Sequence, residues 1–205
     1  MNRAFVIGNG ISRKSISLES LRTHGKIYGC NALYRDFDPD YLIAVDIKMV
    51  LELAEARYQH KIPVWTNSNK TFLKIPGLNF FNPAKGWSSG PTALWMASEH
   101  DNEEIYILGF DYAGIGDDKQ QVNNIYSGSF NYKRVDERAT YYGNWLKQTT
   151  STIHQFNKKR YIRVVEEDTL IPRELQSLTN LQHMTVVEFN KKFNENTVAI
   201  QNESF

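Results

Sequence analysis

The sequence predicts an α/β domain of Rossmann-like, doubly wound type, with a mostly parallel sheet covered on both faces by helices. Three observations carry that prediction. Short apolar runs without polar alternation recur at residues 4–8, 41–45 and 105–108, as in strands buried on both faces. Between the last two lies a segment with helical spacing, Ile47, Val50, Leu51, Leu53 and Ala54, which fits the alternation of strand and helix in such folds. These apolar runs also give way to small or acidic residues: Gly8-Asn9-Gly10, Asp46 and Gly109-Phe110-Asp111. Open parallel sheets bind ligands at the carboxyl ends of their strands, so these residues are expected around one crevice.

Taken in order, residues 4–8 read as the first strand and 16–22 as a short amphipathic helix. Residues 27–30 and 41–45 form the second and third strands, 47–58 a helix, and 62–66 the fourth strand. Two prolines, two glycines and several asparagines make 68–86 a loop, or a hairpin around Pro76-Gly77. Gly90-Pro91 opens a helix running through Ser98, with Ser88 or Ser89 as its cap and proline in the tolerated first turn. Residues 105–108 are the fifth strand. Residues 113–132 are rich in Gly, Asp, Asn, Ser and Gln and read as a lid, a binding loop or a disordered segment. Residues 133–156 return to helix and 161–165 to strand. A Pro172-led helix, a strand at 184–189 and a fraying polar end complete the chain.

The 205 residues fit one domain over 1–205, with a lid-like loop at 113–132 and a C-terminal extension at 166–205. A hydrophobic content of 41% supports one sizeable core, and a formal charge of +1 argues against a nucleic-acid partner. The single cysteine excludes an intrachain disulfide framework and fits a reducing compartment. No secretory signal is read at the start, and no segment approaches the roughly 18 apolar residues of a membrane span. A cytoplasmic protein without a membrane span is the expectation. Phe80-Phe81 and Tyr141-Tyr142 fit either core or a homo-oligomer interface.

The first turn reads two ways. Glycines at 8 and 10 let backbone N–H groups approach an anion, but a plain strand-to-loop turn uses the same residues, and no third glycine follows at Arg13. Asp46 and Asp111 stand at strand ends as candidate carboxylates, although Asp46 equally suits capping the next helix. Asp136 and Glu137 fit capping better than catalysis. Arg13, Lys14, Tyr126, Tyr132, Lys133 and Arg134 could offer charge or hydroxyls to a phosphate. Trp87 precedes Ser88-Ser89-Gly90 and could stack on a base or sugar, whereas Trp95 and Trp145 lie in helices and fit core. Asp117-Asp118 fits a solvated loop. No Cys/His spacing suggests zinc, and no metal is predicted.

Several of these motifs, in this order, resemble the sialyltransferases of glycosyltransferase family 42 and the related DUF115 group. The residues concerned are Val6-Ile7-Gly8-Asn9-Gly10-Ile11-Ser12, Gly29-Cys30-Asn31, Asp38-Pro39-Asp40-Tyr41, Ser89-Gly90 and Ile105-Tyr106-Ile107-Leu108-Gly109-Phe110-Asp111. The match covers about residues 4–112, and 133–165 fits more loosely. The resemblance implies a Rossmann-like fold holding an activated nucleotide donor, a CMP-linked sugar in the sialyltransferases, as substrate rather than cofactor. It implies that Gly8, Asn9, Gly10 and Ser12 line the phosphate and ribose region and that Asn31 touches the nucleotide. Ser89 and Gly90 would sit on the donor's other side, and Asp111 at the strand end facing the nucleotide.

Family-42 enzymes deprotonate the acceptor with a histidine before the long helix. Here the histidines are His24, His60, His100, His154 and His183, and none lies between 101 and 153. The family's donor-phosphate tyrosine is matched one position early by Tyr112, with Tyr126 and Tyr132 available in the loop. A carboxylate must then take the acceptor proton, and Asp111 with Tyr132 is the catalytic pair expected. The leading expectation is a nucleotide-sugar-dependent glycosyltransferase acting on an unknown hydroxyl acceptor. The alternatives are a Mg²⁺-dependent pyrophosphokinase of the DUF115 type, with Asp46 or Asp111 toward the metal, and a non-catalytic nucleotide-binding protein.

Overall fold

The computed structural model describes residues 2–193. At its centre β1 (Arg3–Ile7) pairs on one side with β2 (Lys26–Cys30) and on the other with β6 (Glu104–Leu108), both parallel. From β1 the chain steps outward through β2, β3 (Tyr41–Ile43), β4 (Val64–Asn67) and β5 (Leu78–Phe81). It then returns through α2 (Ser89–Glu99) to lay β6 against β1, and steps outward the other way through β7 (Arg160–Val165) and β8 (Leu181–Thr185). The sheet is a single eight-stranded one, ordered β5-β4-β3-β2-β1-β6-β7-β8, with every neighbouring pair parallel. The α/β Rossmann-like fold is therefore present. The order reverses between β1 and β6, and the crevice outside their carboxyl ends is the switch point where such sheets bind ligands.

Strand alternation sends side chains to two cores. Phe5 and Ile7 of β1 face Leu21, Leu33, the Val50 and Leu53 stripe of α1 (Ile47–Glu55), Phe72, and Phe189 and Phe193 of α5 (Val186–Phe193). Ala4 and Val6 face Ala93, Leu94 and Ala97 of α2, Leu146 and Ile153 of α3 (Gly143–Gln155), and Leu175 of α4 (Arg173–Gln176). Because both faces are covered, the strands are apolar throughout rather than alternating.

Several boundaries differ from those expected. The helix expected at 16–22 is a 3-10 turn over Glu19–Thr23. The 68–86 segment contains β5, an edge strand parallel to β4, and no hairpin. The long helix begins at Gly143, ten residues later than expected, so the loop continues to Tyr142 and Asp136-Glu137 lie outside any helix. The strand expected at 184–189 is β8 followed directly by α5. Residues 166–193 thus supply a sheet strand and part of the core. The polar end expected to fray, from residue 194 on, lies outside the described residues. Among the described residues no helix is long and apolar enough to cross a membrane.

Candidate functional site

The loops after β1 and β6 meet so closely that side chains are excluded. A Cβ on Gly8 would lie 2.6 Å from the Gly109 carbonyl oxygen, and one on Gly10 would lie 2.5 Å from the Asp111 carboxylate. Gly109 has φ +67°, and its own Cβ would meet the Gly8 oxygen at 2.8 Å. The glycines therefore serve loop-to-loop contact. The amides follow suit. Gly8 N–H donates to Leu108 O at 2.8 Å and Gly10 N–H to Gly109 O at 2.9 Å, extending the strand pairing. Ile11 N–H donates to Asn123 Oδ1 at 2.9 Å and Ser12 N–H to Asp111 Oδ2 at 3.2 Å. Four of the amides that an anion cradle would use are already engaged.

Outside these loops opens a cavity of about 460 Å³. It brings together nearly all the residues expected from sequence: Gly8, Asn9, Gly10, Asn31, Ser89, Gly90, Asp111, Tyr112 and Tyr132 all line it. Ser12 does not; its hydroxyl donates to Asp111 Oδ1 in a very short contact. Asp111 thus has both carboxylate oxygens occupied by Ser12, a structural tie rather than the open base that its strand-end position had suggested. Tyr112, at φ +52°, donates its hydroxyl to Thr149 Oγ1 of α3 at 2.6 Å, so its polar tip is also committed.

What the wall offers instead is unpaired acceptors. Asn9 is 9% exposed, and the carboxamide oxygens of Asn9 and Asn31 are both buried without a hydrogen-bond partner. Asn31 takes the left-handed conformation, φ +52°, which Asn tolerates well. Tyr132 reaches in from the lid: its oxygen accepts from Ala32 N–H at 3.3 Å and lies 3.4 Å from Asn9 Nδ2. Burial pushes the Tyr132 phenol well above its ordinary pKa, so it stays protonated and can act as a donor. Ser89 Oγ accepts from Val45 N–H at 3.0 Å, tying the start of α2 to the end of the third strand. Residues 88–91 at the start of α2 line the cavity, where the positive end of an 11-residue helix favours an anion.

Two carboxylates, Asp46 and Asp111, and one cation, Lys133, line this cavity. Asp46 occupies the N-cap of α1 without any side-chain capping bond, so the capping role does not hold. The residue is exposed, its carboxylate accepts no hydrogen bond among the described residues, and partial desolvation raises its pKa. Arg13 is not available to a ligand phosphate: it is buried, donates to Gly8 O at 2.6 Å and to Tyr126 OH at 3.2 Å. Arg134 pairs with Asp136 at 3.2 Å on the surface. Trp87 lies outside the cavity lining, with Lys85 Nζ 5.1 Å over its ring. Trp145 is not core: at 38% exposed it borders the cavity beside Tyr142, 39% exposed. The Asp38-Pro39-Asp40-Tyr41 motif stays away from the site, Asp40 bonding Ile27 N–H and Lys26, and Asp38 bonding Tyr58 and Lys61.

Several contributors escaped the sequence reading, Asn123 and Asn131 of the loop after β6 among them. Arg163 of β7, 2% exposed, donates to Phe110 O at 2.8 Å and Asp111 O at 3.1 Å, fixing the turn that carries Asp111. An arginine inside the apolar run Tyr161–Val165 is the signal that could have exposed it. Among the described residues no group of three or more His, Cys, Asp or Glu is arranged to hold a metal. The chain matches no family model, no curated protein and no solved structure.

Proposed function

We propose that the protein binds a nucleotide-activated donor across the carboxyl ends of β1, β2 and β6 and transfers its activated group to a hydroxyl acceptor, as the likeness to family 42 and the DUF115 group implies. The observation that carries this is the pair of buried, unpartnered oxygens on Asn9 and Asn31 beside the switch-point cavity. A buried acceptor left unpaired costs about 1–3 kcal/mol. A nucleotide has donors for both in its ribose hydroxyls and in the amino group of a base such as cytosine. The volume of about 460 Å³ suits a nucleotide-sized molecule. The α2 amides and the protonated Tyr132 would stabilise the negative charge on the departing phosphate.

The test is a thermal-shift screen with CMP, CDP, UDP, GDP and ATP, each with and without Mg²⁺, on wild type and Asn31→Ala. Metal-independent stabilisation by CMP or another nucleotide, lost in Asn31→Ala, supports the donor site. Stabilisation by ATP only with Mg²⁺ would favour pyrophosphoryl transfer instead. Nucleotide binding without turnover of any sugar donor would make this a binding protein, and no shift with any nucleotide would sink the reading.

A further inference from the structure

The main cavity does not stand alone. A second cavity of about 500 Å³ opens beside it, lined by Val45, Ile47, Lys48 and Met49 of the β3–α1 corner together with Asn31, Asp46, Asn131 and Tyr132. Those last four residues also line the first cavity, so they form the partition between the two. In a two-substrate transfer, the bonds that form and break lie where the two compartments meet. We propose that the second lobe holds the acceptor, a carbohydrate hydroxyl, and that Asp46 on the partition is the catalytic base that takes its proton. This rests on the donor reading above.

The partition residues divide by chemistry. Asn31 and Asn131 do not titrate, and Tyr132 stays protonated, which leaves Asp46 as the one group there able to accept a proton. Asp111, the other carboxylate on the first cavity, is occupied on both oxygens by Ser12. The Asp46 carboxylate is unencumbered: it makes no capping bond and receives no hydrogen bond among the described residues. Asp46 is also exposed, so an acceptor hydroxyl can reach its carboxylate, and the partial desolvation it undergoes raises its pKa. The rest of the lobe suits a sugar. Carboxamides and the phenol offer groups matched to hydroxyls, while Val45, Ile47 and Met49 offer an apolar side to the ring's C–H face.

The step balances within the two substrates. The acceptor O–H proton passes to Asp46, and the oxygen's electron pair forms the new bond to the donor's activated carbon. The bond from that carbon to the phosphate oxygen breaks, its electron pair leaving with the nucleotide. Asp46 then returns its proton to water.

The experiment uses the full chain with CMP-N-acetylneuraminate, UDP-glucose, UDP-N-acetylglucosamine and GDP-mannose as donors, and lactose and N-acetyllactosamine as acceptors. Asp46→Asn is expected to keep the nucleotide-induced thermal shift while transfer falls about 100-fold or more. The wild-type rate should rise with pH through an ionisation above the ordinary aspartate value, a limb missing from Asp46→Asn. Ile47→Trp, which enlarges a side chain lining the second lobe, should raise the acceptor KM about tenfold while the nucleotide shift persists. Wild-type turnover by Asp46→Asn, or an unchanged acceptor KM in Ile47→Trp, would overturn the inference while leaving the donor reading intact. A wild type that binds nucleotide yet transfers to neither sugar overturns the carbohydrate acceptor, and one that turns over no donor at all overturns the donor reading together with the inference.

Discussion

Ser12 and Asp111 lock the two loops of the switch point together: the Ser12 hydroxyl donates to one carboxylate oxygen of Asp111, and the Ser12 amide donates to the other at 3.2 Å. The residues are 99 positions apart, and together with the Gly8 and Gly10 amide bonds to Leu108 and Gly109 this tie holds the β1 loop against the β6 loop. Asp111→Ala is accordingly expected to cost stability as well as ligand affinity. Hydrogen bonds to a charged group are worth about 1.5–3 kcal/mol, and a urea titration should show a loss in that range. Full stability with abolished turnover would instead restore Asp111 as a base.

The glycines of the same junction allow a controlled comparison. Gly109 and Gly86 share nearly the same backbone conformation, φ +67° and +66°, but a Cβ at Gly109 would meet the Gly8 oxygen at 2.8 Å while one at Gly86 meets nothing within 4 Å. Gly86→Ala therefore bears only the left-handed strain, roughly 1–2 kcal/mol. Gly109→Ala bears that strain and a backbone clash that nothing flexible can relieve. Its urea midpoint should fall well below that of Gly86→Ala, and equal losses would mean that the loops are not as close as described.

How much of this was legible in the sequence follows from where the information sits. β1 and β6 were readable because a central parallel strand is an unbroken apolar run. β5 was not, because Leu78-Asn79-Phe80-Phe81 is short and lies between Pro76-Gly77 and Asn82-Pro83, which read as turns. The β8–α5 junction was blurred because Met184, Val186 and Val187 run apolar straight across it. At the site, Asn9 and Asn31 were singled out through the motifs that carry the family resemblance, and Tyr132 through the polar loop after β6. Their unpaired oxygens, the commitment of Asp111 to Ser12, and the freedom of Asp46 depend on contacts between distant segments, which no local pattern encodes.

The buried Arg163 makes stability pH-dependent through a neighbour. His183 sits opposite it in the β7–β8 register, both its ring nitrogens buried and unpartnered. Burial, and then the nearby guanidinium, hold the His183 pKa below the ordinary value. The folded form thus resists a proton that the unfolded chain accepts at about pH 6.5. Stability tied to this residue is fully present above that value and is lost as the pH falls through the depressed folded pKa. His100 is shifted the same way, by burial and then Lys159, so His183→Gln should remove only part of the loss. Urea midpoints at pH 7.5 and pH 5 measure it: the gap between them should narrow in the variant, and an unchanged gap would exonerate His183.

A carboxylate on α1 anchors the part of the loop that carries Tyr132. Glu52 accepts from Tyr34 OH at 2.6 Å, from Arg35 at 2.5 and 2.8 Å, and from Asn131 Nδ2 at 2.7 Å. Arg35 in turn donates to Ser129 Oγ and Phe130 O, both at 2.8 Å, and lies over the Tyr132 ring. Burial works against ionisation of Glu52, but the hydrogen bonds from Tyr34, Arg35 and Asn131 outweigh it and hold its pKa below the usual glutamate range. Glu52→Ala removes the acceptor on which Arg35 and Asn131 converge, so residues 129–132 lose their anchor and Tyr132 loses its fixed position over Asn9. Amide exchange at 129–132 should quicken while β1 and β6 stay protected, and nucleotide affinity should fall with it. Stability should drop by on the order of 2 kcal/mol. Because the folded-state pKa of Glu52 is depressed, wild type should come to resemble the variant as the pH falls through that value. Exchange at 129–132 that is the same in both proteins at neutral pH would show that the lid is held elsewhere.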